Sequence, residues 1–344
     1  MKESLSKADI KEKANSILSQ MTLEEKVGQL FFIHYPLSNP QESISKYHIG
    51  GYLLFAINFS FKTKEQLIDE IQLLQRNSKI PLFLGVDEEG GTVTRISRYA
   101  QFRSTRFLSP QKLYETGGFE LIKEDTIEKC QLLHELGLNV NFAPVCDISE
   151  DPNDFIYLRS FGKDANQTSE YIKTVVTVMT DQKIASVLKH FPGYGNNKDT
   201  HSEISIDNRP FDAFISSDFV PFKTGIESGS NIVMFSHNVM SCVDDKLPSS
   251  LSLRVHEMLR NELKFSGLII TDSLHMSAVK HYGSNAEIAV LAVQAGNDLI
   301  CCSDADVMWP SVLKAVKDGK ITEERINESV QRILEVKISM GLIK

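Results

Sequence analysis

The chain has 344 residues, 42% of them hydrophobic and 24% charged, with a formal net charge of -8 at pH 7. That balance describes a globular chain long enough to bury a large core, and its acidity argues against nucleic acid or an anionic membrane as the main partner. No run approaches the ~20 apolar residues of a membrane span.

The opening MKESLSKADIKEKANSILSQ is charged and lacks the apolar core of a secretory signal. Residues 7–20 carry a helical pattern. Short apolar runs follow at 27–34, 51–57, 81–87, 140–147, 186–191, 232–237, 268–272 and 298–302. They are apolar at successive positions rather than alternating, which suits strands buried on both faces of a parallel sheet. Helical patterns at 63–77, 119–136, 165–182, 212–227 and 252–263 separate them, and the tail carries two more at 304–317 and 322–340. Eight strands spaced by helices predict an α/β fold, a single (β/α)8 TIM-type barrel with an N-terminal helix. No Pro/Gly/Ser linker or repeat divides the chain, so residues 1–344 read as one domain. The five cysteines (Cys130, Cys146, Cys242, Cys301, Cys302) are odd in number and lack CxxC spacing, which predicts free thiols in a reducing compartment. The expectation is a cytoplasmic monomer.

A barrel carries its chemistry at the C-terminal ends of its strands. His34, Asp87, Asp147, His190, His237 and Asp272 all fall at such ends. Any one has a plain structural alternative, helix capping for Asp147 above all, but six converging on one mouth exceed what capping requires. After the third run, GVDEEGGTVTR (85–95) has paired glycines that would let the backbone turn close to a ligand. After the fifth, KHFPGYGNNKDTHSE (189–203) is broken by Pro192, Gly193, Gly195 and two asparagines, so it is an irregular loop. Asp199 and His201 lie two apart on it, a spacing at which a carboxylate can hold one imidazole nitrogen and fix the tautomer.

These segments, with MTLEEKVGQLF, APVCDI, RSFGKD, ITDSLHM and RINESVQRILEVK, make the sequence resemble the β-N-acetylglucosaminidases of glycoside hydrolase family 3 across almost its whole length. The KHFPG-x-G segment followed by D-x-H marks this subgroup. The resemblance implies Asp272 as catalytic nucleophile, His201 as general acid/base and Asp199 as its carboxylate partner. It implies Asp87, Arg95, Arg159, Lys189 and His190 as residues around the terminal sugar. Tyr194 stands where the family usually has His, and Glu88 where Gln is common; neither is a matched catalytic position. Relatives occur with the barrel alone or with a further α/β domain, and this chain looks like the first kind.

Retaining glycosidases normally use two carboxyl groups about 5–5.5 Å apart. A His–Asp pair can replace the second, because imidazole titrates near neutrality and a carboxylate neighbour favours its charged form. The Gly/Asn-rich loop is expected to carry this acid/base over bound substrate and to lie displaced from Asp272 without it. No cofactor and no metal is called for. The partner is a small carbohydrate, a GlcNAc-terminated glycan or muropeptide. Three rivals stay open: a metal-dependent barrel hydrolase using His34, His190, His237 and Asp272; a non-catalytic sugar-binding protein; and a phosphorylase in which phosphate takes the sugar from Asp272.

Overall fold

The computed structural model describes residues 5–197 and 204–344. Its barrel strands are β1 (Phe31–His34), β2 (Gly51–Leu54), β3 (Phe83–Val86), β4 (Val140–Asn141), β5 (Ala185–Phe191), β6 (Ile232–Phe235), β7 (Leu268–Thr271) and β8 (Ile300–Cys302), and Ile206–Asp207 and Val239–Met240 pair as a separate two-stranded sheet. The barrel strands are all parallel, in the order β8-β1-β2-β3-β4-β5-β6-β7. A bridge between Ile270 and Leu299 closes the ring, with Leu299 N donating to Ile269 O at 3.0 Å. The barrel is therefore the one the run spacing predicts.

Three predicted bounds shift, each for a local reason. The run 27–34 begins in a helix, Leu23–Gln29, because Thr22 and Glu25 form a reciprocal capping box that starts a turn through Val27. The regular strand in the run 140–147 ends at Asn141, although Phe142 N still donates to Val86 O (2.8 Å) and Ala143 O accepts Val187 N (2.9 Å); Pro144 has no N–H to donate, and pairing resumes where Cys146 N reaches Lys189 O at 2.7 Å. The run 298–302 loses its start because Asp298 is fully buried and works as an anchor. Its carboxylate takes Ile269 N (2.9 Å), Arg260 Nη2 (2.7 Å), Arg332 Nη1 (3.0 Å) and Ser329 Oγ (2.7 Å), tying β7 to two outer helices.

Aromatic rings fill the barrel. Phe32 packs edge-on to Phe142 at 5.3 Å, and a Cβ on Gly85 would lie 2.5 Å from the Phe142 ring, so glycine there makes room for both. Nearer the C-terminal end, alternate positions Leu53, Asp87, Met234, Asp272 and Cys301 all turn inward and line one cavity. At the opposite end, Lys337 of the last helix (Glu323–Ser339) is fully buried and donates to Gln29 Oε1 (2.9 Å) and Gly50 O (3.0 Å).

Burial pushes the Lys337 ammonium down to about 7. The unfolded chain then holds a proton that the folded chain sheds between about pH 7 and the ordinary lysine range. Wild-type stability should accordingly rise with pH across that window. Urea unfolding of wild type and Lys337→Met at pH 7 and 9.5 checks this: the wild type gains on the variant at the higher pH, and equal slopes would refute it.

Candidate active site

The inward-facing strand ends and the loops after them enclose a cavity of about 370 Å³. Asp87, Arg95, Arg159, Lys189, His190 and Asp272 line it together, with Leu53, Phe55, Phe142, Phe155, Met234 and Cys301 supplying apolar wall. Six of the eight site residues named from sequence are thus brought to one place. The other two, Asp199 and His201, lie outside the described residues, and with them the expected placement of their loop.

Lys189 is the hub of the polar wall. Its buried ammonium lies 2.7 Å from Asp87 Oδ1 and 2.6 Å from Glu89 Oε1. Arg159 clamps the same Glu89 in a fork, with Nη2 at 2.8 Å and Nε at 3.1 Å, and Arg95 faces Asp87 at 3.6 Å. Burial alone would raise the Glu89 carboxyl; the two cations outweigh it and hold it well below the usual carboxylate range. Lys189 and His190 are consecutive yet both line the cavity, because the β5–β6 ladder slips register between Leu188 and Phe191.

Asp147 caps no helix. Its Oδ2 accepts from His190 N (3.1 Å) and pairs with His190 Nδ1 (2.7 Å), while Oδ1 accepts from Tyr194 N (2.8 Å). This fixes the imidazole with Nδ1 protonated and Nε2 turned toward Arg159 Nη2 at 3.2 Å. Tyr194 is buried, its ring edge-on to His190 at 5.2 Å and tilted against Phe155 at 5.7 Å. Phe155 itself keeps a face toward the cavity.

The glycine pair of 85–95 serves a different end from the one its sequence suggests. Gly90 and Gly91 have positive φ, and Cβ atoms there would strike Leu108 O at 2.1 Å and Ser109 Cβ at 2.7 Å. The close approach is to the protein's own backbone. Glu88, buried, accepts the N–H groups of Arg95 (2.8 Å), Ile96 (2.7 Å) and Ser97 (3.2 Å), so it shapes the loop that presents Arg95.

The flanks of 198–203 are anchored. Asn197 Nδ2 donates to Tyr194 O (2.8 Å) and Asp207 Oδ2 (2.6 Å), and Arg209 spans Asp207 (2.7 Å) and Asp218 (2.9 Å). Burial pushes the Asp218 carboxyl up to about 6 despite Arg209 beside it.

Asp272 follows β7, its N–H donating to Phe235 O at 2.8 Å, and its Oδ1 accepts Ser273 N at 2.7 Å. His237 is fully buried, with Nδ1 on Ser250 Oγ (2.7 Å) and Nε2 on Ser273 O (3.0 Å). Among the described residues no group of three or more His, Cys, Asp and Glu is arranged to hold a metal ion. Reading from sequence missed Glu89 and Ser273; the doubled acid in VDEEGG was the available signal for the first.

The profile of the glycosyl hydrolase family 3 N-terminal domain matches residues 22–336. The chain belongs to glycosyl hydrolase family 3. It is 32% identical over 285 residues to a beta-hexosaminidase of Hydrogenovibrio crunogenus, covering 81% of this chain and 79% of that one. It is 27% identical over 329 residues to beta-hexosaminidase A of Pseudoalteromonas piscicida, covering 87% of this chain. The solved family 3 beta-N-acetylglucosaminidase of Paenibacillus sp. str. FPU-7 superposes with a TM-score of 0.88 at 32% identity, over 94% of this chain. The chain spans only 55% of the Pseudoalteromonas protein and 63% of the Paenibacillus one.

Proposed function

We propose that this family 3 barrel is a retaining exo-β-N-acetylglucosaminidase that removes terminal β-linked GlcNAc from muropeptides or chitin-type oligosaccharides. One observation carries the reading: the Asp272 carboxylate stands in a small cavity whose polar wall also includes Asp87, already paired with Lys189, together with Arg95, Arg159, Lys189 and His190. The volume of about 370 Å³ is at the small end for ligand sites and suits one terminal sugar. Carboxylate acceptors beside guanidinium and ammonium donors are the groups that hydroxyls and an N-acetyl carbonyl require. Arg95 keeps donor capacity for this, since its Nε has no hydrogen-bond partner among the described residues. The names of the relatives support the same sugar.

In the first step Asp272 attacks the anomeric carbon as the glycosidic C–O bond breaks. Protonated His201, for which Asp199 is the proposed carboxylate partner, gives its proton to the departing oxygen. A covalent glycosyl-enzyme results. In the second step neutral His201 takes a proton from water, whose oxygen displaces Asp272 and releases the sugar with its β configuration retained.

A panel tests this: aryl β-glycosides of GlcNAc, GalNAc, glucose and xylose, with chitobiose and an anhydro-muropeptide, each with and without phosphate. The expected result is phosphate-independent release of GlcNAc, the β anomer appearing first. Turnover that requires phosphate, or that favours the glucoside, overturns the assignment.

A further inference from the structure

His34 ends β1 but takes no part in the sugar-facing wall, yet it reaches the segment carrying Asp272. Its Nε2 lies 3.1 Å from Ser273 Oγ, and its ring packs edge-on against Phe55 at 4.7 Å. The same Ser273 is held at its carbonyl by His237 Nε2 (3.0 Å) and at its hydroxyl by His275 N (3.4 Å). Its own N–H is the donor to Asp272 Oδ1 (2.7 Å). Ser273 is therefore a node fixed from β1 and from the end of β6, and it in turn orients the carboxylate.

Resting on the glycosidase reading above, we propose that His34 is a positioning residue that acts through Ser273 to aim the Asp272 carboxylate at the anomeric carbon. With the His275 amide on one lone pair of Ser273 Oγ, the hydroxyl hydrogen is available to an unprotonated His34 Nε2. Burial keeps the imidazole in that form, lowering it to about 4 with His275 nearby, against the opposite pull of Asp272 and Asp87. A nucleophile whose approach angle drifts loses rate in the bond-forming step more than it loses substrate binding.

The test is a double-mutant cycle on an aryl β-N-acetylglucosaminide with the full chain: His34→Phe, Ser273→Ala and the pair, with His34→Gln as the conservative variant. Each single change should lower kcat about 10- to 100-fold with KM little altered. The pair should fall no further than the worse single, and His34→Gln should recover most of the rate because its amide can still bond Ser273 Oγ. Wild-type kcat in His34→Phe, or multiplying losses in the pair, overturns the proposal. So does a loss that His34→Gln shares in full, which would mark the ring only as packing for Phe55. Wild-type protein inactive on every glycoside would instead sink the functional reading itself.

Discussion

Asp272→Asn is expected to cut turnover of an aryl β-N-acetylglucosaminide by about 10⁴-fold or more while the protein stays folded. The substitution is nearly isosteric. The backbone N–H at 272 still donates to Phe235 O, and the amide oxygen can still accept from Ser273 N, so the local geometry has no reason to change. What disappears is the negative charge that must bond to the anomeric carbon, and no other carboxylate lining the cavity can replace it. Asp87 is engaged by Lys189 at 2.7 Å and faces Arg95 on the opposite side. His201→Ala, by contrast, should cost far less on a nitrophenyl leaving group than on chitobiose, because acid assistance matters least when the departing oxygen is already stable. Rate measurements on both substrates, with a melting curve for each variant, separate the roles. A near-wild-type rate in Asp272→Asn would remove it as nucleophile.

Much of the fold was legible because a barrel strand is a short run with no polar face. Gly51–Leu54, Phe83–Val86 and Leu268–Thr271 are buried at every position, with Thr271 as their one hydroxyl-bearing aliphatic side chain, and most of the helices between them are amphipathic. Elements escaped where that contrast fails. The helix Asn285–Ala295 is apolar nearly all round, so it shows no 3.6-residue stripe; its local signals are the Ser284–Glu287 capping box and Gly296 just past its end. The predicted helix 119–136 runs back to Pro110 but is broken at Gly117 and Gly118, whose backbone leaves the helical region. The predicted helix 212–227 passes through a wider turn at Phe214–Asp218, which period alone does not reveal.

The site was less legible, for a reason of register. Strand alternation puts Asp87 and Asp272 inside, and those two positions follow from the two-residue period. It would send His190 outward if Lys189 points in, and only the slip after Leu188 brings both to the cavity. Arg159 gives still less warning, since it sits in a loop placed by Gln111, whose side chain donates to Tyr157 O at 2.7 Å. Glu89 was hidden because neighbouring acids, Glu88 and Glu89, look alike in sequence. One bends back onto the amides of its own loop, and the other crosses to Arg159 and Lys189.

Glu89→Gln should therefore be the most damaging change that touches no proposed reacting group. Glu89 is buried and is shared by the buried Lys189 and the partly buried Arg159. The neutral amide strands part of their charge where water compensates poorly, above all at Lys189. Breaking one partner out of such a cluster costs about 3 kcal/mol, and Lys189 keeps Asp87 at 2.7 Å as its carboxylate partner. Because folding lowers the Glu89 pKa, its contribution is fully present above the unfolded carboxyl range near 4.5 and is lost as pH falls toward the depressed value. The stability gap between wild type and Glu89→Gln should consequently be widest at pH 6–7 and narrow steadily in acid. Denaturant unfolding at pH 7, 5 and 3.5 measures it. Loss of the fork should also free Arg159 to turn away from the cavity, so KM for the glycoside should rise more than kcat falls. A gap that stays constant with pH would show that folding leaves the Glu89 pKa unchanged, and one that widens in acid would show Glu89 protonated in the folded protein; either result overturns the electrostatic account of this wall.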